Sequence, residues 1–371
     1  MAEHRITYKF RLYPTRQQAA LFEQTLGLCQ ELYNAALQER RDAWRLNRIS
    51  VNFAAQSAQL PDIKAVRPEL SGVYSQVLQD ALRRVDKTFK AFFGRVKRKQ
   101  KAGFPRFRSS SRYDSFTHPQ GGFSVLGSHL YLSKIGKVKI KLHRPIEGKI
   151  KTLTVKREAG KWYACFSVEC EAMPLPLNTE SVGVDVGLLA FATLSDGTEI
   201  ENPRYYREAQ KKLRRAQRKV ARRKRGSHRR RKAVLLLQKT HAHIRKQRAD
   251  FQHKISRWLV NNYGLIAVEN LNVKGLAAGM LAKSVSDAGW GAFFAKLEYK
   301  AASAGRQLIK VNPSGTSQTC ACGAHTPKEL SQRWHKCSEC GLSANRDHVS
   351  AQVILQRALG LSVQVLSQAL A

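Results

Sequence analysis

Three acids could act together, and two of them stand where an acid is costly. Asp185 interrupts the apolar stretch Gly183-Val184-Asp185-Val186-Gly187, and Glu269 ends the run Leu265-Ile266-Ala267-Val268. Asp347 opens a segment whose apolar neighbours Ala344, Val349, Ala351, Ile354 and Leu355 suggest the packed face of a helix. A carboxylate inside an apolar strand destabilises the fold unless it is paired or holds a cation. Two acids on buried strands and a third at a helix start can converge on divalent metal. Two Mg²⁺ (or Mn²⁺) ions would then activate a water and stabilise the leaving oxygen in phosphodiester cleavage. The same residues also read as three unrelated acids, one of them a helix N-cap.

A second constellation is sulfur. Cys320-Ala321-Cys322 and Cys337-Ser338-Glu339-Cys340 place four thiols in two pairs, with Gly323 and Gly341 following each pair. This pattern suits a closed, tetrahedral, structural zinc site, with Zn²⁺ held by Cys320, Cys322, Cys337 and Cys340. The first pair is C-x-C, one residue short of the usual knuckle, which predicts a weakened or distorted site; His325 or His335 is a possible substitute ligand. Unligated or redox cysteines are the alternative. Cys29, Cys165 and Cys170 lie in apolar or strand-like contexts, and seven cysteines in this arrangement do not make a secreted disulfide scaffold.

The third constellation is charge. Between Lys211 and Lys232, 14 of 22 residues are Lys or Arg and none is acidic, so self-repulsion opposes an isolated helix and a phosphate backbone would order it. Arg214, Arg215, Arg218, Arg222 and Arg225 are the contacts expected here, with Lys9, Arg11 and Arg106 nearer the N-terminus. Over the whole chain of 371 residues, 65 Lys and Arg against 27 Asp and Glu leave a net charge of +38. Nucleic acid is the partner that rewards such a surface. A 43% hydrophobic content excludes wholesale disorder, and no apolar run is long enough for a signal peptide or a membrane span. These features together predict a cytoplasmic, nucleoid-associated protein with no membrane partner.

The elements that must position these groups change period along the chain. Residues 5–11 alternate as a strand, with Tyr8 and Phe10 opposite Lys9 and Arg11. Pro14-Thr15 opens a helix, and a second helix over 74–98 carries Val77, Leu78, Leu82, Val85, Phe89 and Phe93 on one side. Strands dominate 115–170 and predict a small antiparallel barrel or sandwich, with Pro174 and Pro176 in a linker. From residue 181 the pattern is α/β: a hairpin, long basic helices over 205–260, a buried strand ending at Glu269, a helix over 287–304, a further strand, the Cys-rich loop and a last helix over 345–358. Trp290, Phe293, Phe294 and Tyr299 are expected mainly in the core.

In this order GVDVG, AVENL, SDAGWGAFFAKLEYKA, TSQTC, KCSECG and NRDH resemble the TnpB family, transposon-encoded RNA-guided DNA endonucleases once described as transposases and similar to type V CRISPR effectors. KFRLYPTRQQ, FFGRVKRK and GFPRFR resemble the N-terminal half of the family. The resemblance implies that Asp185, Glu269 and Asp347 are the three acids of a RuvC-like, RNase H-fold nuclease and that the four cysteines are its zinc-binding insertion. It implies a multidomain α+β fold: a wedge strand over 1–14, a helical recognition lobe over 15–112, a wedge β-barrel over 113–176 and the nuclease over 177–371, with a zinc ribbon at 316–343. It implies a guide RNA, a double-stranded DNA target, one protein chain per RNA, and a short flanking motif read by the region of Phe53, Ser57, Ser75, Gln76, Gln79 and Thr117. Asn345 replaces the family's usual acid, giving NRD for DRD. Two alternatives accompany this reading: a nuclease-inactive, RNA-guided repressor, and a basic RNA-binding scaffold. A strand-transfer transposase is disfavoured, because no tyrosine nucleophile paired with a His-hydrophobe-His motif is visible.

Overall fold

A computed structural model describes residues 3–360 apart from Met173 and Leu330; residues 361–371, assigned to the nuclease from sequence, lie outside the described residues. Two compact units divide at Glu171/Ala172.

In the first unit β1 (Glu3–Tyr13) leads into α1 (Arg16–Asn47), then α2 (Phe53–Ala58), α3 (Leu60–Val66) and α4 (Ser75–Lys97). Thr15 starts α1 through a capping box, its hydroxyl accepting from the Gln18 backbone while the Gln18 amide oxygen accepts from the Thr15 N–H. The strands β2 (Ser115–His118), β3 (Phe123–Leu126), β4 (His129–Leu132), β5 (Gly136–Lys141), β6 (Lys149–Glu158) and β7 (Lys161–Glu171) join β1 in one antiparallel sheet of order β2-β6-β7-β1-β5-β4-β3. The expected antiparallel barrel or sandwich is an open half-barrel: β2 and β3 are the two edges and no ladder joins them. Four-residue strands at both ends leave too little backbone to close the ring. The alternation of β1 sends Tyr8, Phe10 and Leu12 into the core with Phe22, Phe116 and Phe166.

Helix α4 departs from its expected burial. Val77, Leu78, Ala81, Leu82 and Val85 are buried, but no residue after Val85 is, and Phe93 is 60% exposed. Phe89 still packs against the core, and the apolar stripe continues for about two turns beyond it.

The second unit contains β8 (Ser181–Asp185), β9 (Ala190–Leu194), β10 (Glu199–Glu201), α5 (Tyr205–Ala221), α6 (His228–Asn262), β11 (Leu265–Glu269), α7 (Val273–Leu276), α8 (Ala282–Ala288), α9 (Trp290–Ser303), β12 (Gln307–Val311), β13 (Trp334–Lys336), β14 (Ser343–Asn345) and α10 (Arg346–Leu359). Its main sheet runs β10-β9-β8-β11-β12; β8, β9 and β10 are antiparallel neighbours, and β11 lies parallel to both β8 and β12. Val182, Val184, Ile266 and Val268 pack with Leu259, Val260, Phe293 and Leu297 of α6 and α9. Ala267 packs with Ile354 of α10. The helix predicted over 287–304 is two, broken at Gly289, whose φ of +67° ends α8 and starts α9. Trp290 and Phe293 are buried, whereas Tyr299 is largely exposed. The basic run is also two helices, turned at Arg222–Ser227, with Ser227 capping α6.

Candidate active site

Register brings the first two acids together. In the parallel pair β8/β11, Ser181 faces Leu265 and Val184 faces Val268. One further step sets Asp185 beside Glu269, an interstrand spacing of about 4.8 Å. The alternation that puts Val184 and Val268 into the α6/α9 core turns Asp185 and Glu269 to the opposite face.

Gly183 brings the third. A Cβ at Gly183 would stand 2.0 Å from the Ala351 carbonyl oxygen and 2.9 Å from the Leu355 N, so the backbone of α10 lies directly on β8. From Gly183, two strand residues (roughly 6.7 Å) lead to Asp185; from Ala351, four helix residues (roughly 6 Å) lead back to Asp347. Contact at Gly183/Ala351 therefore stacks Asp347 over Asp185.

The electrostatics agree with this placement. Burial, then the charges of Glu269 and Asp347, push the Asp185 carboxyl well above the usual range, and only Arg346 opposes them. Burial also raises Glu269, against the Thr316 hydroxyl, which donates to it at 2.5 Å, and the Arg357 charge. The Asp347 carboxylate lies 3.8 Å from the Arg333 guanidinium. Asp185 is thus the middle member of the trio. The three do not form a preformed single-ion shell: among the described residues, the one group of three or more His, Cys, Asp or Glu ligand atoms within 4.8 Å of one another is the cysteine quartet.

Four residues not singled out from the sequence complete this site. Arg346 is buried beside Asp185 and donates to the Glu329 (3.1 Å) and Gln332 (3.3 Å) carbonyls. Thr316 and Arg333 touch the flanking acids, and Gly183 sets the helix height. Gly183 lay within the motif that marked Asp185, and Arg346 and Thr316 within motifs already quoted; Arg333 carried no sequence signal. Asn345 caps α10: its carbonyl accepts from the Asp347 N–H at 2.9 Å and its amide donates to Glu199 at 3.0 Å.

The four cysteines converge despite the short first pair. Sγ separations are 3.7 Å for Cys320/Cys340 and 3.6 Å for Cys322/Cys337. Four sulfurs around one ion at metal–sulfur bonds of about 2.3 Å stand roughly 3.8 Å apart, so the quartet fits a structural metal site. The C-x-C turn closes through the Gly323 N–H to the Cys320 carbonyl (2.8 Å) and a φ of +87° at Gly323, which corrects the expected distortion. The backbone N–H groups of Cys340 and Glu339 help hold the Cys337 thiol down to about 6, favouring the thiolate that ligation requires. His325 and His335 are not members of the quartet.

Of the predicted nucleic-acid contacts, Arg106, Arg214, Arg215, Arg218, Arg222 and Arg225 are exposed. Lys9 pairs with Glu158 and sits 4.3 Å over the Tyr163 ring, which Arg11 also approaches at 5.4 Å. Phe53 lies under the Arg83 guanidinium at 5.1 Å, Ser75 accepts from Lys64, and the Thr117 hydroxyl meets Arg84 and Thr154. Gln76 keeps a buried amide oxygen without a partner. Phe53 and Ser57 of α2 thus share one region with Ser75, Gln76 and Gln79 of α4 and Thr117 of β2.

Comparison with known proteins gives concordant matches. Residues 165–279 match the family described as "Probable transposase", residues 290–354 "Cas12f1-like, TNB domain" and residues 1–48 "Helix-turn-helix domain", although here the last span forms β1 and α1. The "Putative RNA-guided DNA endonuclease InsQ" of Escherichia coli K12 is 32% identical over 94% of this chain and 91% of its own length. A "Putative RNA-guided DNA endonuclease" of Streptomyces pristinaespiralis is 35% identical over 98% and 91%. The solved mini-RNA-guided endonuclease CRISPR-Cas_phi3 shares the fold at a TM-score of 0.52, with 10% identity over 97% of this chain and 93% of that one. With relatives this similar along nearly its whole length, and with "TnpB-like" proteins of a mimivirus also matching over 94% of it, the chain belongs to the TnpB family.

Proposed function

We propose that this chain is the RNA-guided double-stranded DNA endonuclease of a transposable element, cutting phosphodiesters at the Asp185–Glu269–Asp347 site beside a short flanking motif. The observation that carries this is the convergence of three carboxylates at the ends of β8 and β11 and the start of α10, within a chain whose nearly full-length relatives bear the name RNA-guided DNA endonuclease.

The donor set fits hard divalent cations. Three carboxylates offer oxygen ligands, and the raised Asp185 records a site whose negative charge lacks compensation. Asp185, Glu269 and Asp347 would together hold these ions, with Asp185 central to the trio. Bound Mg²⁺ or Mn²⁺ would supply the Lewis acidity that makes water a nucleophile and neutralises the departing oxygen. The chain's own part is positional. β8 and β11 fix two carboxylates by register, α10 fixes the third, Thr316 orients Glu269, and Arg346 steadies the Asp185 charge while tethering the neighbouring loop. Zn²⁺ in the cysteine quartet would hold the 316–343 ribbon without taking part in chemistry.

In this reading 1–14 and 113–176 form the wedge, 15–112 the recognition lobe and 177–371 a RuvC-like nuclease of the RNase H fold; the sheet order, three antiparallel strands followed by two parallel to the first, supports that last assignment. Phe53, Ser57, Ser75, Gln76, Gln79 and Thr117 read the flank, and the arginines of α5 and the following turn hold phosphates, with one chain per guide RNA. The enzyme works in the cytoplasm on nucleoid DNA. No described helix is long and apolar enough to cross a membrane. A repressor or a scaffold would leave the three carboxylates without a task.

The test is cleavage of a plasmid library with a randomised flank, using the protein co-purified with RNA from its own locus and Mg²⁺. Depletion of one flank class and its loss in Asp185→Ala are expected. Cleavage that survives Asp185→Ala would overturn the site, and target binding without cleavage would favour the repressor.

A further inference from the structure

Beyond Phe89, α4 leaves the core and carries aromatic rings into solvent. Phe93 is 60% exposed, Phe104 50% and the neighbouring Val96 51%. The rings pack on one another rather than collapsing inward: Phe89 and Phe93 stack with centroids 6.2 Å apart, Phe92 meets Phe93 at 5.2 Å, and Phe104 meets Phe92 at 5.4 Å and Phe89 at 5.9 Å. Arg40, paired with Asp86, lies 5.5 Å over Phe89 and anchors the cluster to α1. The segment after α4 is pinned as well, since Asn34 donates to the Arg108 carbonyl (3.0 Å) and accepts from its N–H (2.8 Å). From Lys87 to Arg108 the chain has nine Lys or Arg and no acid.

We propose that the Phe93/Phe104 platform is a stacking site for unpaired bases of RNA. Its charge selects a polyanion over an apolar protein surface. Its exposed rings select bases whose own faces are free, because a continuous duplex buries them. RNA is the committed occupant because the acid-free, basic stretch around the rings complements a polyanion, and the reading above gives this chain an RNA as its standing polyanion. The proposal rests on the guide-RNA reading above and adds to it a site outside both the flank-reading region and the α5 arginines.

The full chain, freed of nucleic acid in high salt, is titrated with a fluorescein-labelled 12-nucleotide single-stranded RNA of mixed sequence, with the same strand annealed to its complement as a blunt duplex, and with the matching single-stranded DNA. The Phe93→Leu/Phe104→Leu variant keeps apolar bulk but removes the rings. It should lose about tenfold in affinity for single-stranded RNA, with an unchanged salt slope and little change on the duplex. Phe93→Trp should restore or tighten binding. Unchanged affinity for single-stranded RNA, an equal loss on the duplex, or a Phe-dependent loss confined to DNA overturns the platform while leaving guided cleavage intact. Failure of the unsubstituted chain to bind any RNA overturns the guide reading itself. Matching circular dichroism spectra and melting curves establish that the variants are folded.

Discussion

At the residue scale, Asp185 is the group whose chemistry and stability pull apart. It is held between Glu269 and Asp347, and burial with two like charges raises its carboxyl. A carboxyl raised above its unfolded value of about 3.9 costs stability once pH exceeds the folded value, and the cost fades as pH falls back toward the unfolded one. In divalent-free buffer Asp185→Asn should therefore melt higher than the unsubstituted protein at pH 7, and the gain should vanish near pH 4. Melting curves at both pH values check this; a destabilised Asp185→Asn at pH 7 would mean that Asp185 is already compensated. Asp185 and Glu269 were legible in the sequence because each is an acid closing an apolar run, and their offset of 84 residues is the register itself. Arg333 was not, because its approach to Asp347 depends on how a loop folds back. The role of Asn345 was half legible. The departure from the family's acid stood out, but its amide bond to Glu199, where a carboxylate would meet a second carboxylate, needed the fold.

At the element scale, the site depends on how closely α10 lies on β8. Gly183→Ala places a methyl 2.0 Å from the Ala351 carbonyl, an approach that only backbone movement can relieve. Overpacking of this kind costs about 1–3 kcal/mol or more. The melting temperature should fall by several degrees, and cleavage should fall further than stability alone explains, because Asp347 moves with the helix. Wild-type cleavage by a folded Gly183→Ala would show that the separation of Asp347 from Asp185 is not critical. The ribbon makes a separate prediction. Chelation, or Cys337→Ser, should raise hydrogen exchange over 316–345 and leave β8, β9 and β11 protected, since the quartet holds the loop and the sheet has its own core. Equal exchange with and without chelator would remove metal from the account. Sequence periodicity found both α4 and the strands that form the sheet, but not where each stops being buried. An amphipathic stripe records which face is apolar, not how far the partner surface extends, so the side that Val77, Phe89 and Phe93 share is continuous in sequence although Phe93 stands 60% exposed. Strand alternation likewise cannot tell a closed barrel from an open one, because closure is decided by edge lengths and curvature.

At the scale of the whole molecule, charge is concentrated. Residues 205–262, the α5–α6 pair and its turn, hold 21 Lys or Arg and two acids, which is +19 of the total +38. On α5 the charge is turned outward: Leu213 and Ala216 are buried, while Arg214, Arg215 and Arg218 face solvent. Two helices with this density of like charge repel each other, and phosphates are the partner that relieves them by releasing condensed counterions. Binding must then carry a steep salt dependence. If six to ten phosphates are neutralised, affinity for RNA should fall by roughly 10³–10⁵ between 50 and 200 mM salt. Replacing Arg218 and Arg222 with Ala should flatten the slope of log K against log salt by about 0.7–0.9 per arginine, and should weaken all RNA sequences alike. This differs from the Phe93/Phe104 variant, which should shift affinity without changing the slope. Anisotropy titrations at four salt concentrations separate the two classes. A slope indifferent to both arginines would move the phosphate path off this helix pair and leave its +19 without a physical reason.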